Sequence, residues 1–376
     1  MRVAIVGGGV IGCSIAYYLR NAGADVVLLE RGELAGEASG AAAGLLILPD
    51  RAATPGPFRD LCITSLDMYR ELIPRIEKES GIDVRCLASG ILVTAETPER
   101  VPILRSFAKW QREQGGEADW VEGEALKALE PALGPRVRGA VYTSDDLNVD
   151  PGLVTQAIGR AAERAGVDIR TNVAVGGFRK RSGRVESILT SNGSVTADAV
   201  VLAAGPWTGA LATKLGFPLK TPPMRGQMLA YRTTAVRHAI WGEDGYLVPK
   251  LALSGAEGTG GLLFAGATVE DAGFRKHTTK RALAGLRAMA TRLVPALRHT
   301  EVAGAWAGLR PGSEDGWPVI GRLPTCENVY VATGHFRNGI LLAPVTGKAV
   351  TQLVLEGGAV MGLEAFGAER FESERL

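Results

Sequence analysis

Short apolar runs punctuated by glycine set the pattern of this chain. Residues 2–6 (RVAIV) are an apolar run of the kind found in a strand buried on both faces of a parallel sheet. Gly7, Gly9 and Gly12 follow as G-x-G-x-x-G, with Val10 and Ile11 inside the loop. Ile15, Leu19 and Ala22 then recur at helical spacing up to Gly23, a good helix terminator. Residues 24–29 (ADVVLL) form the next strand, which ends at Glu30. The pattern predicts a strand–loop–helix–strand unit with an acid 18 residues after the third glycine.

The same logic returns further on. Asp150-Pro151 is a helix start, an N-cap acid followed by Pro at the first helical position, and the helix should run to about Ala165 and stop at Gly166. VDIRT, VAVGGF, RVESILT and SVTADAVVLAAG read as short strands, with turns at Ser182-Gly183 and Asn192-Gly193. Residues 220–300 differ. GYLVP and GLLFAG alternate and are separated by Gly/Ser-rich turns, with a helix from about Thr279 to Leu293, which suggests an antiparallel sheet with a helix. Residues 301–357 return to short apolar strands, a GHFRNG loop and a helix from about Leu342 to Leu355. The charged tail AERFESERL reads as frayed.

Composition narrows the class. The 376 residues are enough for two domains, and 46% hydrophobic against 22% charged residues suits a globular protein with a sizeable core. A net charge of +2 without a basic run gives no support for a nucleic-acid partner. Cys13, Cys62, Cys86 and Cys326 show no metal or redox spacing, so no metal site is expected and a reduced, cytoplasmic setting fits best. The start of the chain reads as a strand broken by glycines rather than as a secretory signal, and Ala41–Pro49 is too short to span a membrane.

The opening unit is a dinucleotide site. Its glycines let the turn close and backbone N–H groups approach a pyrophosphate, and Glu30 would accept hydrogen bonds from an adenosine ribose. Arg31 adjoins Glu30, so a 2′-phosphate is not fully excluded. Residues 36–46 (GEASGAAAGLL) are a run of small side chains that could let the backbone lie against a long flat cofactor or, equally, begin a close-packed helix.

Taken together, GGGVIG, LLERG, ASGAAAG, VDPGLV, VVLAAGPWTG, WAGLRPGSEDGWPVIG and GHFRNGILLAPVTGKAV resemble the D-amino-acid oxidase family of FAD enzymes, nearest to its glycine-oxidising branch associated with thiamine biosynthesis. The resemblance implies an α/β fold: a Rossmann-like FAD domain, a doubly wound parallel sheet with a β-meander, joined to a smaller antiparallel substrate domain. We expect residues 1–85, 140–220 and 301–376 in the first and residues 86–139 and 221–300 in the second. It also implies FAD held by the first loop, by Glu30 and Arg31, by Ala38 and Ser39, and by Ala43, Gly44 and Leu45. Val173 would touch the adenine through backbone atoms. His335, Phe336, Arg337, Asn338, Gly339, Ile340 and Leu341 would approach the isoalloxazine ring, where a helix N-terminus favours negative charge.

An amino-acid substrate offers its carboxylate as a handle, and Arg is the side chain that grips it bidentately. The resemblance places Arg310, Arg337 and Tyr246 at the active site, with Arg310 the first choice for the clamp. No general base stands out: His335 is the only histidine placed near the flavin, and His238, His277 and His299 lack partners at catalytic spacing. The expected reaction is therefore hydride transfer from a neutral amine, with imine hydrolysis and H₂O₂ formation from O₂. The sarcosine oxidase branch attaches FAD through a cysteine near the strand matching WAGLR. Here that position carries Leu309-Arg310, so FAD is expected to be non-covalent. A D-amino-acid oxidase and a quinone-linked dehydrogenase stay open as alternatives, as does a homo-oligomer.

Overall fold

Two large β-sheets carry most of the described strands, beside a three-stranded meander and a two-stranded pair. The computed structural model describes residues 1–48, 54–113, 116–144, 146–250, 261–358 and 362–372. The first sheet has six strands in the order Val319–Arg322, Val329–Thr333, Ala199–Leu202, Arg2–Val6, Asp25–Leu29 and Asp168–Arg170. All its pairings are parallel except that between Val319–Arg322 and Val329–Thr333. Strand residues alternate between two layers. Val3, Ile5, Val26 and Leu28 pack under helices Val10–Asn21, Pro57–Ser80, Pro151–Arg164 and Gly339–Glu356. Ala4, Val6, Val27 and Leu29 face a three-stranded antiparallel meander of Val175–Arg181, Arg184–Thr190 and Gly193–Thr196. Burial on both faces explains the continuous apolar runs.

Two of the predicted helix starts hold. Asp150 accepts a hydrogen bond from the Leu153 amide at 3.0 Å and Pro151 opens the helix. Thr279 caps helix Lys280–Leu293 by accepting from the Ala282 amide. The last long helix begins earlier than the apolar periodicity suggested, at Gly339.

The second sheet has nine strands among the described residues. In order they are Glu270–Asp271, Pro223–Arg232, Leu262–Gly266, Tyr246–Lys250, Ala239–Trp241, Ile91–Ala95, Gly139–Thr143 and Asp119–Val121, with Val302–Pro311 also paired to Pro223–Arg232. One face packs Leu229, Tyr231, Leu247 and Leu263 against Leu286, Met289 and Leu293 of helix Lys280–Leu293. The period-2 alternation turns Met228, Tyr246 and Val248 to the opposite face, toward Ala43 and Leu45.

Two segments depart from the expected division. Residues 140–143 and 302–311 pair inside the antiparallel sheet, not with the parallel one. Alternation marks a half-buried strand without saying which sheet it joins. The tail is also better held than its charge suggested. Phe366 and Ala368 are buried, and Arg370 binds Asp315 and the carbonyls of Phe366, Gly367, Trp317 and Pro318. Its last part, residues 373–376, lies outside the described residues, as does Pro49 of the apolar stretch.

Candidate active site

A single continuous cavity of about 1040 Å³ lies between the two sheets. One end is built on the opening unit. Gly7 has φ +117°, and a Cβ there would stand 2.4 Å from the Ala203 carbonyl oxygen, so only glycine fits. A Cβ on Gly12 would stand 1.9 Å from the Gly7 carbonyl oxygen. Gly12 thus serves helix–strand packing and does not itself line the cavity, whereas Gly7, Gly9, Val10 and Ile11 do. Helix Val10–Asn21 has no acid in its first turn, which leaves its positive end uncompensated.

Glu30 holds this loop in shape. Its Oε2 accepts from the Gly8 amide at 2.6 Å and its Oε1 from the Gly32 amide at 2.8 Å. Ser39 Oγ accepts from the Val10 amide at 2.9 Å, tying the small-residue segment to the helix start. Arg31 stacks 3.6 Å over the Trp207 ring and pairs with Glu37. Val173 donates its amide to the Glu30 carbonyl at 2.8 Å, which commits that N–H. Glu30, Arg31, Ala38, Ser39, Ala43, Gly44, Leu45 and Val173 all line the cavity.

The other end gathers the basic residues. Arg310 sits on strand Val302–Pro311, with Nη1 donating to the Thr268 carbonyl at 2.9 Å. Tyr246 is buried, donates its hydroxyl to Met228 Sδ at 3.5 Å and lies 5.4 Å from the Trp241 ring. Arg337 stands 5.8 Å from the same Trp241 ring. Burial raises the Tyr246 phenol above its usual 10, opposed by the Arg310 and Arg337 charges, so it stays a protonated donor. Burial also lowers the Arg310 guanidinium, but an arginine remains charged. Among the described residues, neither guanidinium is paired with a carboxylate. The site is therefore a recess of net positive potential.

His335, Phe336, Asn338, Gly339, Ile340 and Leu341 line the cavity beside Arg337, at the start of helix Gly339–Glu356. That helix has no acid in its first turn either. His335 is 3% exposed, and burial pulls its imidazole down to about 3, so it is neutral at physiological pH. Its Nε2 lies 3.1 Å from Thr346 Oγ1.

Three contributors escaped the sequence. Trp241 walls the site, Thr268 orients Arg310, and Gly226 makes room for it: a Cβ there would fall 2.3 Å from Arg310 Nη2. A glycine inside a strand, as in MRGQM, is the one visible signal of close approach.

The FAD dependent oxidoreductase family matches residues 2–353. The chain belongs to this family. It is 33% identical over 379 residues to a glycine oxidase of Bacillus licheniformis, covering 98% of this chain and 97% of that one. It is 34% identical over 378 residues to a bifunctional ThiO/ThiG protein of Synechocystis, where it spans only 54% of the longer chain. Among solved structures, glycine oxidase from Geobacillus kaustophilus superimposes with a TM-score of 0.91 at 31% identity, covering 98% of this chain and 99% of that one. The enzyme from Bacillus cereus gives 0.89 at 31%, covering 97% of each.

The residues present fit FAD. The glycine cradle, two helix N-termini facing one cavity, and the elongated space from Arg31 and Val173 to Tyr246 match a long, doubly anionic cofactor. None of the four cysteines lines the cavity. Among the described residues no helix is long and apolar enough to cross a membrane, and no cluster of potential metal ligands is present.

Proposed function

We propose that this chain oxidises glycine, or a small amine bearing a carboxylate, with O₂ as acceptor. For glycine the balance is glycine, O₂ and water to glyoxylate, ammonia and H₂O₂. The observation that carries this reading is the convergence of Arg310, Tyr246 and unpaired Arg337 on the cavity that also holds the glycine cradle. When bound, FAD supplies a two-electron acceptor for the α-C–H bond and passes the electrons to O₂.

The chain's own groups do the positioning. Arg310 grips the carboxylate, and the Tyr246 hydroxyl donates to one of its oxygens. A field of two guanidinium groups disfavours a third positive charge, so it lowers the pKa of a bound ammonium and promotes the neutral amine. The amine lone pair then does the work a side-chain base would do, which fits a cavity whose only histidine is the neutral, buried His335. Trp241 and Tyr246 wall the α-carbon from water. Adenosine recognition falls to Glu30, Arg31 and the Val173 carbonyl, and pyrophosphate recognition to Gly7–Ile11 and Ser39. We infer non-covalent FAD and a cytoplasmic enzyme.

The test is anaerobic addition of glycine, sarcosine and D-alanine to the purified yellow protein, followed by an H₂O₂ assay in air. Bleaching of the flavin absorbance and one H₂O₂ per amine consumed are expected. A flavin that no amino acid bleaches would refute the reading.

A further inference from the structure

Behind the clamp lies a polar network, buried at Arg225 and Gln227 and half-buried at Thr268 and Glu270, whose residues do not line the cavity. Arg225 is 6% exposed and faces Glu270 across the register of strands Pro223–Arg232 and Glu270–Asp271. Its Nη2 bonds Glu270 Oε2 at 2.5 Å, and its Nη1 donates to the carbonyls of Arg275 and His277 at 3.2 Å each. Glu270 Oε1 accepts from Gln227 Nε2 at 2.7 Å and from Thr268 Oγ1 at 2.5 Å. The Thr268 hydroxyl oxygen also accepts from the Gln227 amide at 3.0 Å. Gln227 Oε1 in turn accepts from the Thr279 amide at 2.6 Å, at the start of helix Lys280–Leu293.

Beyond the strand ladder, this network meets the Arg310 side chain through the Thr268 carbonyl, which accepts from Arg310 Nη1 at 2.9 Å. On its other side the guanidinium lies over Gly226, with Phe336 at 5.9 Å. A guanidinium on a flexible stem needs such a partner to present one fixed edge. A partly buried ion pair such as Arg225–Glu270 adds little net stability, whereas its directional bonds fix geometry.

We propose that Thr268 and Glu270 are positioning residues for Arg310, setting the angle at which the guanidinium meets a substrate carboxylate. The proposal rests on the reading of Arg310 as the carboxylate clamp. Glu270, locked by Arg225 and Gln227, holds the Thr268 hydroxyl, and the Thr268 carbonyl thereby faces Arg310. Neither residue lines the cavity, so neither touches substrate.

The test uses the holoenzyme and acetate as a carboxylate probe, its Kd read from perturbation of the visible flavin spectrum. T268V removes the hydroxyl at nearly constant volume, T268S restores it, and E270Q removes the charge while keeping the shape. T268V and E270Q should each raise the acetate Kd and the glycine KM about tenfold, with kcat within twofold of wild type. T268S should return both constants to within twofold. FAD retention on dilution should be unchanged throughout. Wild-type acetate affinity in both T268V and E270Q, with R310A abolishing it, would overturn this inference alone. Unchanged acetate binding in R310A would remove the clamp and the inference with it. If T268V does not fold, E270Q decides the matter by the same readouts.

Discussion

Replacing Gly226 by Ala puts a methyl group into the space that the Arg310 guanidinium occupies. The new Cβ would stand 2.3 Å from Nη2 and 2.4 Å from both Cζ and Nη1. Ordinary contact begins near 3.4 Å, so the guanidinium must move by about 1 Å. The backbone itself accepts the change, because Gly226 is not among the positive-φ glycines. A displacement of about 1 Å stretches the 2.9 Å bond to the Thr268 carbonyl past hydrogen-bonding range and turns the fork away from its ligand. Losing one hydrogen bond to a charged group costs about 1.5–3 kcal/mol, roughly a 10- to 150-fold loss of affinity. We therefore expect G226A to raise the glycine KM about 10- to 100-fold, with kcat/KM falling at least in proportion. FAD content should be unchanged, since the cofactor's glycine cradle lies on the other sheet. Steady-state H₂O₂ production across glycine concentrations, with flavin absorbance per protein as the control, measures both. A G226A enzyme with wild-type KM would show that Arg310 does not hold the substrate from the position described.

Other consequences follow from neighbouring groups. E30A removes the acceptor for the Gly8 and Gly32 amides and should weaken FAD at least tenfold, read as flavin fluorescence released on dilution. Acid precipitation should leave the protein colourless and the flavin in solution, because no cysteine reaches the cavity. With His335 held neutral down to about pH 3, the rising limb of kcat/KM against pH should track the pKa of each amine substrate, and a limb fixed near 6.5 across a series of amines would contradict the base-free step. Lys250 is pulled down to about 7 by burial, so between pH 7 and its ordinary 10.5 the unfolded chain binds more protons than the folded one. The cost of burying Lys250 is therefore largest below pH 7 and fades as pH rises. Wild type should gain on K250M by up to about 2 kcal/mol between pH 7 and 9 in chemical denaturation.

What could be read in advance and what could not divide along sequence separation. The cofactor loop was legible because its parts are local: a strand, three glycines, a helix and Glu30 lie within the first 30 residues, and each residue type has one physical reason to be there. Arg310, Arg337 and Tyr246 were reachable only through family motifs, since nothing in AGLRPG or DGYLVP says that these segments meet. Thr268, Trp241 and Gly226 were not legible at all. Each acts through register: Gly226 opposite Gly308, Trp241 opposite Tyr246, and Thr268 just beyond the strand that pairs with Met228. The tail was misread for a related reason. Its charges looked solvated, but Arg370 finds four carbonyls and an aspartate that only the fold assembles.

The misassigned strand Val302–Pro311 explains how cofactor and substrate keep a fixed separation. It pairs with the antiparallel sheet, yet Trp306 Nε1 donates to the Ala41 carbonyl at 3.1 Å, and a Cβ on Gly308 would fall 2.7 Å from Ala41 Cβ. At its end the Pro311 carbonyl accepts from the Phe336 amide at 3.0 Å, next to Arg337 and the helix start at Gly339. One strand thus carries Arg310, the proposed carboxylate clamp, and touches both the small-residue run and the GHFRNG loop. A strand is stiff over ten residues, so the backbone that carries Arg310 cannot drift relative to those segments without breaking ladder pairs. That coupling meets the requirement of C–H oxidation, in which an error of about 1 Å between substrate and acceptor already costs on the order of a hundredfold in rate. It also explains why the small residues at Ala41 and Gly308 stand where they do: bulk at either would push the clamp strand off the cofactor segment.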